Sequence, residues 1–307
     1  MQLLIDADLV AYRCAASVEP SKKAEPRTLT EEETKLEQGI AIARCDTLMR
    51  ELLHTTQADQ YQAFLTGPNN FRKQVNPEYK ANRKDTLPPR FLQQCRYFLV
   101  SEWNAVVSDG CEADDLLGIA QCTAKKEYDN TFFSPNWEST ILASLDKDLL
   151  MIPGQHYNWV KDESKFVDEI DGIKHMYKQA LIGDRADNIF GVDKIGVVKA
   201  ARIIDHLETE LEMIEAVRAL YEDDNRLIMN LQCLWIMQEE GVTWAQRVNK
   251  LTLPDQFKQG VEAMSGYMTS LMDVTSMGLI TNSPKTYGIL VNGVVPESME
   301  TKQLPLI

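Results

Sequence analysis

The sequence predicts an α/β fold: a mostly parallel central sheet flanked by helices and followed by a helical module. Three observations carry this. Through the first 170 or so of 307 residues, short apolar runs alternate with longer helical patterns, as strands joined by crossover helices require. From about residue 173 onward the pattern is helical alone. Acidic clusters follow several of the apolar runs, where a parallel sheet keeps its functional loops, just past the carboxyl ends of its strands.

In chain order, strands are expected at residues 2–6, 60–66, 104–107, 140–144 and 157–160. Between the first two lies a long helix that Thr30 caps, with Glu33 reaching back as the second half of a capping box and Ile40, Ala43, Leu48 and Leu52 following along it. Later helices are expected at 195–204, 209–221 and 227–238. The units are then an α/β core over residues 1–172 with a basic segment at about 72–100, a helical module over 173–245, and an extension over 246–307. In that extension Met264, Met268 and Met272 recur at helical spacing and read as core packing. Asn292-Gly293, between the apolar runs of residues 287–295, reads as a hairpin turn.

Composition excludes some classes. With 44% hydrophobic and 25% charged residues the chain has ordinary soluble composition. Met1 runs directly into Leu3-Leu4-Ile5 without a basic leader, and no apolar stretch approaches the roughly 18 residues of a membrane span. A cytoplasmic protein without a membrane partner is expected, as a monomer. The six cysteines are scattered with no Cys-x-x-Cys pair, which argues against a zinc ribbon or a disulfide framework and for reduced thiols. A net charge of −14 opposes phosphate binding on average. Locally it does not: Arg72, Lys73, Lys80, Arg83, Lys84 and Arg90 face only Glu78 and Asp85 within their stretch, so a positive segment sits inside an acidic protein.

The carboxylates fall in four groups. Asp6 ends the first strand and Asp8 follows, an arrangement that equally suits a helix cap. Glu112-Ala-Asp-Asp115 comes next, with Glu112 and Asp115 at the spacing of one helix face and Asp114 joining them only in an irregular first turn. Asp146 and Asp148 are two apart beyond an apolar strand, so an extended chain presents them in parallel. Asp184 and Asp187 are three apart at a turn. Convergence of so many acids is costly without bound cations. Oxygen donors without His or Cys suit Mg2+ or Mn2+, and the four histidines have no metal-ligand spacing. Two such ions about 4 Å apart can activate water and steady the leaving oxygen at phosphorus, which makes phosphodiester hydrolysis the chemistry implied.

The segments Asn76-Pro-Glu-Tyr-Lys-Ala-Asn-Arg-Lys84, Glu112-Ala-Asp-Asp115, Ser144-Leu-Asp-Lys-Asp148 and Gly183-Asp-Arg-Ala-Asp-Asn188 resemble, in this order and spacing, the bacteriophage 5′→3′ exonucleases of the flap endonuclease superfamily. These are related to the 5′-nuclease domain of bacterial DNA polymerase I. The resemblance covers about residues 1–205 and implies a PIN-like fold acting on DNA with a 5′ end or flap, or on an RNA–DNA hybrid. It implies a first metal site of Asp6, Glu112, Asp114 and Asp115 and a second of Asp146, Asp148, Asp184 and Asp187, with Asp114 shared and Asp6 and Asp146 at the catalytic centre. It places Tyr79, Lys80 and Arg83 at the base of an arch over a single-stranded 5′ end, with Lys80 and Arg83 on the scissile phosphate and Arg72, Lys73 and Lys84 in the same basic stretch. Gly191-Val-Asp-Lys-Ile-Gly196 resembles the family's helix–three-turn–helix, which grips duplex phosphates through backbone amides and often holds K+.

Two departures stand out. Gly67, in Phe64-Leu-Thr-Gly-Pro68, occupies the place of a first-site carboxylate, and Asp8 is the candidate to compensate. The lysine expected soon after Gly196 is displaced by one residue, so its role passes to Lys199, helped by Lys194. A PIN-like ribonuclease would share the acidic sheet site but needs neither the arch nor the helix–three-turn–helix. Gly67 also fits a junction-binding protein with a lapsed metal site.

Overall fold

The computed structural model describes residues 1–20, 28–84, 86–129 and 139–275. Strand β1 (Gln2–Asp6) runs into α1 (Ala7–Ala16), and α2 (Glu31–Thr56) leads to β2 (Gln60–Leu65). The capping box on α2 is present as expected, with Glu33 N–H donating to Thr30 Oγ1 at 3.2 Å and Thr30 N–H to Glu33 Oε2 at 2.9 Å. A short α3 (Arg72–Val75) and a 3-10 turn (Ala81–Arg83) precede α4 (Leu92–Trp103), β3 (Val106–Val107) and α5 (Ala113–Asp129). Then come β4 (Thr140–Ala143), a 3-10 turn (Asp148–Met151), β5 (Gly154–Asn158), β6 (Glu163–Val167) and α6 (Glu169–Ile182). The two-residue strands β7 (Gly183–Asp184) and β8 (Ile189–Phe190) pair with each other. Helices α7 (Val197–Ile204), α8 (Glu210–Arg218), α9 (Asp224–Leu234), α10 (Trp244–Val248) and α11 (Asp255–Thr275) complete the described chain.

The main sheet has the order β3-β2-β1-β4-β5-β6, parallel except for the antiparallel edge pair β5–β6. Beyond β1 the chain builds outward through β2 and β3, then returns to the other side of β1 as β4. The strand order therefore switches between β1 and β4, where an open α/β sheet leaves a crevice at its carboxyl edge.

Alternation along β1 shows how the layers are glued. Leu3 and Ile5 join Leu65, Ile141 and Ala143 in a core beneath α1, α2 and α4. Leu4, with Phe64 and Leu142, faces the opposite way, into a core with Leu116, Leu117, Met176 and the residues of α7 to α11. That second core runs across residue 173, so the change to helices there does not divide the hydrophobic interior. Met268 is fully buried in it and Met264 and Met272 pack against it, as their spacing predicts. All six cysteines are buried free thiols.

The strand expected at 157–160 is displaced. The chain pairs from Gly154 to Asn158 and then reverses, because Asn158 Oδ1 accepts from the N–H groups of Val160 and Lys161 at 3.1 Å each and Asp162 adopts a left-handed φ of 54°. Strand β6 is exposed over its first four residues and has no alternation that would mark it as a strand in the sequence. The strand expected from 104 starts at Val106, since Asn104 ends α4 in the left-handed region. The hairpin expected at 287–295 lies outside the described residues. Among those that are described, no helix is long and apolar enough to cross a membrane.

Candidate active site

Parallel register builds the floor of the site. Ile5 pairs with Ala143, which sets Asp6 beside Ser144, and Ser144 Oγ donates to Asp6 Oδ2 at 2.7 Å. Asp6 also caps α1 by accepting from Leu9 N–H at 3.2 Å, so capping and site membership coexist in one side chain. Burial, against which the Ser144 bond works, pushes its carboxyl up to about 7, and the nearby charges of Asp8 and Asp146 push the same way. Ser144 was not singled out from sequence; the register of β1 against β4 is the signal that finds it.

Around Asp6 the other acids close in. Asp114 is held well above the carboxylate range by burial and then by the charges of Asp6, Glu112 and Asp146. Asp146 and Asp148 do meet, though not as an extended pair: Asp146 Oδ1 accepts from Asp148 N–H at 2.9 Å in a tight turn that enters the 3-10 segment. Asp148 is pushed up to about 8 by burial, with Asp146 and Asp184 adding repulsion. Asp184 is buried in β7, so the structure places Asp6, Asp114, Asp146, Asp148 and Asp184 along the crevice between β1 and β4.

Glu112 and Asp187 line the rim with the basic residues. Lys80 Nζ lies 2.5 Å from Glu112 Oε1 and 3.6 Å from Asp187 Oδ2. Arg83 donates to Asp187 Oδ1 at 2.7 Å. Burial works against charging Glu112, yet Lys80 and Arg72 hold it below the ordinary range, while burial raises Asp187 despite Lys80. Lys80 itself has a left-handed φ of 55°, and its backbone N–H donates to Asp187 carbonyl oxygen at 3.0 Å. Asn82 and Asn188 add bonds to Arg185 and Glu78 carbonyls at 2.7 and 2.8 Å, sewing residues 78–83 onto the 184–188 loop.

Several expectations need correction. Asp115 does not face the crevice: Arg72 Nη1 and Nη2 grip both its oxygens at 2.6 and 2.8 Å, and the N–H groups of Glu112 and Met237 each add a bond at 3.0 Å. Glu112 precedes α5, and its carboxylate meets Lys80 while standing 3.9 Å from the Arg72 nitrogen that Asp115 holds. Arg72 is 1% exposed, bonded also to the Cys233 and Trp235 carbonyls, and offers nothing to DNA. Tyr79 is likewise buried, its hydroxyl 2.6 Å from Asp187 and 3.0 Å from Glu112, so it steadies the rim carboxylates instead of touching a strand.

Asp8 is already taken. One oxygen pairs with Arg96 and the other accepts from Thr66 N–H at 2.8 Å, which ties α1 to α4 and to the end of β2. Nor can a side chain be restored at Gly67, where a Cβ would lie 1.9 Å from the Ser108 carbonyl oxygen. Gly191 is needed by the protein itself: a Cβ there would meet Gly183 nitrogen and Leu181 oxygen at 2.4 Å. Gly196 is different. It starts α7 without a side-chain cap, a Cβ there meets nothing within 4 Å, and Lys194 and Lys199 beside it are exposed. Lys73 and Lys84 are exposed as well.

The donor set fits a hard divalent cation in kind, since the crevice holds oxygen ligands whose repulsion and burial a cation would relieve. As the side chains stand, no three acid, His or Cys groups among the described residues close on one point.

Comparison with known proteins gives a consistent picture. The family model described as 5′-3′ exonuclease, N-terminal resolvase-like domain, matches residues 1–180. A DNA polymerase I of Borreliella burgdorferi is 29% identical over 147 residues, 45% of this chain and 16% of that one. A 5′-3′ exonuclease of Buchnera aphidicola is 28% identical over 173 residues, 51% and 57% of the two chains. One of Halalkalibacterium halodurans is 26% identical over 246 residues, 76% of each. The chain thus spans between 16% and 57% of the length of several of these curated relatives. Among solved structures, the T5 D15 protein co-crystallized with metal ions superposes with a TM-score of 0.52 at 14% identity, covering 88% of this chain and 98% of that one. At that identity the likeness establishes the fold.

Proposed function

This chain belongs to the 5′-3′ exonuclease family, and from that premise we propose that it is a nuclease hydrolysing DNA phosphodiesters from 5′ ends or flaps. The observation that carries the reading is the crevice between β1 and β4, where Asp6, Asp114, Asp146, Asp148 and Asp184 crowd together beneath Lys80 and Arg83. Asp6, Glu112 and Asp114 would hold one divalent ion, and Asp146, Asp148, Asp184 and Asp187 a second, with Asp114 shared. Mg2+ or Mn2+ bound there supplies an activated water and charge neutralisation at the phosphate.

The chain's own residues do the rest. Ser144 and the α1 N-terminus keep Asp6 in place. Lys80 and Arg83, now neutralising Glu112 and Asp187, are donors that a scissile phosphate can draw on as its negative charge grows. Exposed Lys194 and Lys199, with the uncapped start of α7 at Gly196, suit the phosphates of a duplex, and a K+ ion at that loop is part of the proposal. The motif order supports a phage-type enzyme of the cytoplasm acting in replication or primer removal, with the duplex bound by the helices from α7 on, which share one core with the sheet.

A product ladder from a 5′-labelled flap, a blunt duplex and an RNA–DNA hybrid tests this. Cleavage of the flap in Mg2+, and none in excess EDTA, is the expected outcome; full cleavage in EDTA would sink it. The hybrid lane separates an RNase H-type preference from a DNA one.

A further inference from the structure

Helix α6 meets the acidic crevice at Asp148 and again at Asp184. It lies directly on the Asp148–Met151 turn, since a Cβ at Gly172 would come within 2.4 Å of the Met151 carbonyl oxygen. Seven residues on, along the same face, Gln179 Nε2 donates to Asp148 Oδ1 at 2.6 Å. The helix then ends at Gly183, and the next residue is Asp184. One helical turn therefore references both Asp148 and Asp184, two carboxylates that repel each other.

Gln179 is 7% exposed, and its second polar atom, Oε1, is buried without a hydrogen-bond partner among the described residues. A buried acceptor left unpaired is destabilising, and such groups call for an explanation. The same amide has its N–H on an acid of the crevice, so Oε1 sits within one amide group of Asp148. Mg2+ sheds its waters reluctantly and keeps several when bound by carboxylates, and those waters need acceptors.

Resting on the nuclease reading above, we propose that Gln179 is a positioning residue of the acidic crevice: its Nε2 holds Asp148 beside Asp184, and its Oε1 accepts a hydrogen bond from a water of the divalent cation. The amide is the right group for both tasks. A carboxylate there would repel Asp148, and an apolar chain would release it.

The test is calorimetric titration of Mn2+ into the full chain without DNA, beside thermal unfolding in EDTA, for wild type, Gln179→Met and Gln179→Asn. Asn keeps the amide but is one methylene too short to reach. Mn2+ affinity falls roughly 10-fold or more in Gln179→Met, the scale of losing an outer partner of a metal ligand, and falls also in Gln179→Asn. The unfolding temperature of Gln179→Met in EDTA stays close to that of wild type, because losing the bond to Asp148 is offset by removing the unpaired acceptor. A purely structural role predicts the reverse, with lowered unfolding temperature and unchanged Mn2+ affinity, and would overturn the proposal. Wild type that binds Mn2+ and cuts flaps, with variants that bind equally well, removes Gln179 alone. Wild type that neither binds Mn2+ nor cuts removes the nuclease reading and this inference with it.

Discussion

Asp114 and Asp115 are neighbours in the first turn of α5, yet they belong to two regions that handle buried negative charge in opposite ways. Asp115 has an internal cation, the Arg72 guanidinium, and two backbone N–H groups, so its charge is fully matched within the protein. Asp114 faces Asp6, Glu112 and Asp146 and has no comparable match. On one side of the turn the charge is a fastener, joining α3 and α5 to the Cys233–Met237 stretch at the end of α9. On the other it is a buried acid set among other acids. An acidic cluster in sequence can thus contain both kinds, and what separates Asp115 from Asp114 is the Arg72 guanidinium that the fold brings to one of them.

The largest effect should come from the unmatched side. Asp148→Asn or Asp146→Asn should lower single-turnover flap cleavage by more than about 100-fold, beyond what loss of an outer partner costs. Duplex affinity measured in Ca2+ should stay near wild type. Near-normal turnover in either variant would erase the contrast between the two regions.

On the matched side the loss should appear in stability. Arg72→Met leaves Asp115 buried and unpaired, which should cost about 3–5 kcal/mol in denaturant unfolding. A variant that unfolds at the wild-type midpoint would show that the pair is no fastener.

How far the sequence reached follows the same division. Strands β1, β2 and β4, the capping box on α2 and the buried methionines were legible because periodicity and caps are local. The acids were legible as four groups, because each follows an apolar strand or a turn, but the spacing favoured Glu112 and Asp115 over Asp114, whereas Asp114 is the one that faces Asp6 and Asp146. Arg72 was misread as a DNA contact, and Asp115 as a ligand, because their pairing joins residues 43 apart and depends on carbonyls near residue 235. Ser144, Arg96 and Gln179 needed register and packing that no spacing encodes.

A smaller effect concerns pH. Asp6 and Asp148 have native carboxyls raised to about 7 and about 8, chiefly by burial, against roughly 4 when unfolded. The native state then holds more protons than the unfolded one across that window, so stability is greatest below the unfolded value and declines as pH rises through the native ones. In EDTA the unfolding temperature should fall, on the order of 5 °C, between pH 6 and 9. Mg2+ should flatten that slope, and so should Asp6→Asn. A flat profile in EDTA would mean that the crevice carboxylates are matched after all, as Asp115 is.

The smallest effect is expected at Asp8, which sits next to the crevice but on the matched side of the comparison. Its oxygens are occupied by Arg96 and by Thr66 N–H, so no lone carboxylate is left there to replace the one missing at Gly67. Asp8→Asn should therefore leave the Mg2+ concentration for half-maximal cleavage unchanged. Its cost should be about 1 kcal/mol or less of stability, since the Arg96 pair is partly exposed. Adding Gly67→Asp should not help and should destabilise further, because its Cβ would collide with the Ser108 carbonyl oxygen and backbone would have to move. A raised Mg2+ requirement in Asp8→Asn that Gly67→Asp then corrects would place Asp8 among the ligands, and would mean that an arginine partner does not by itself mark a carboxylate as a fastener.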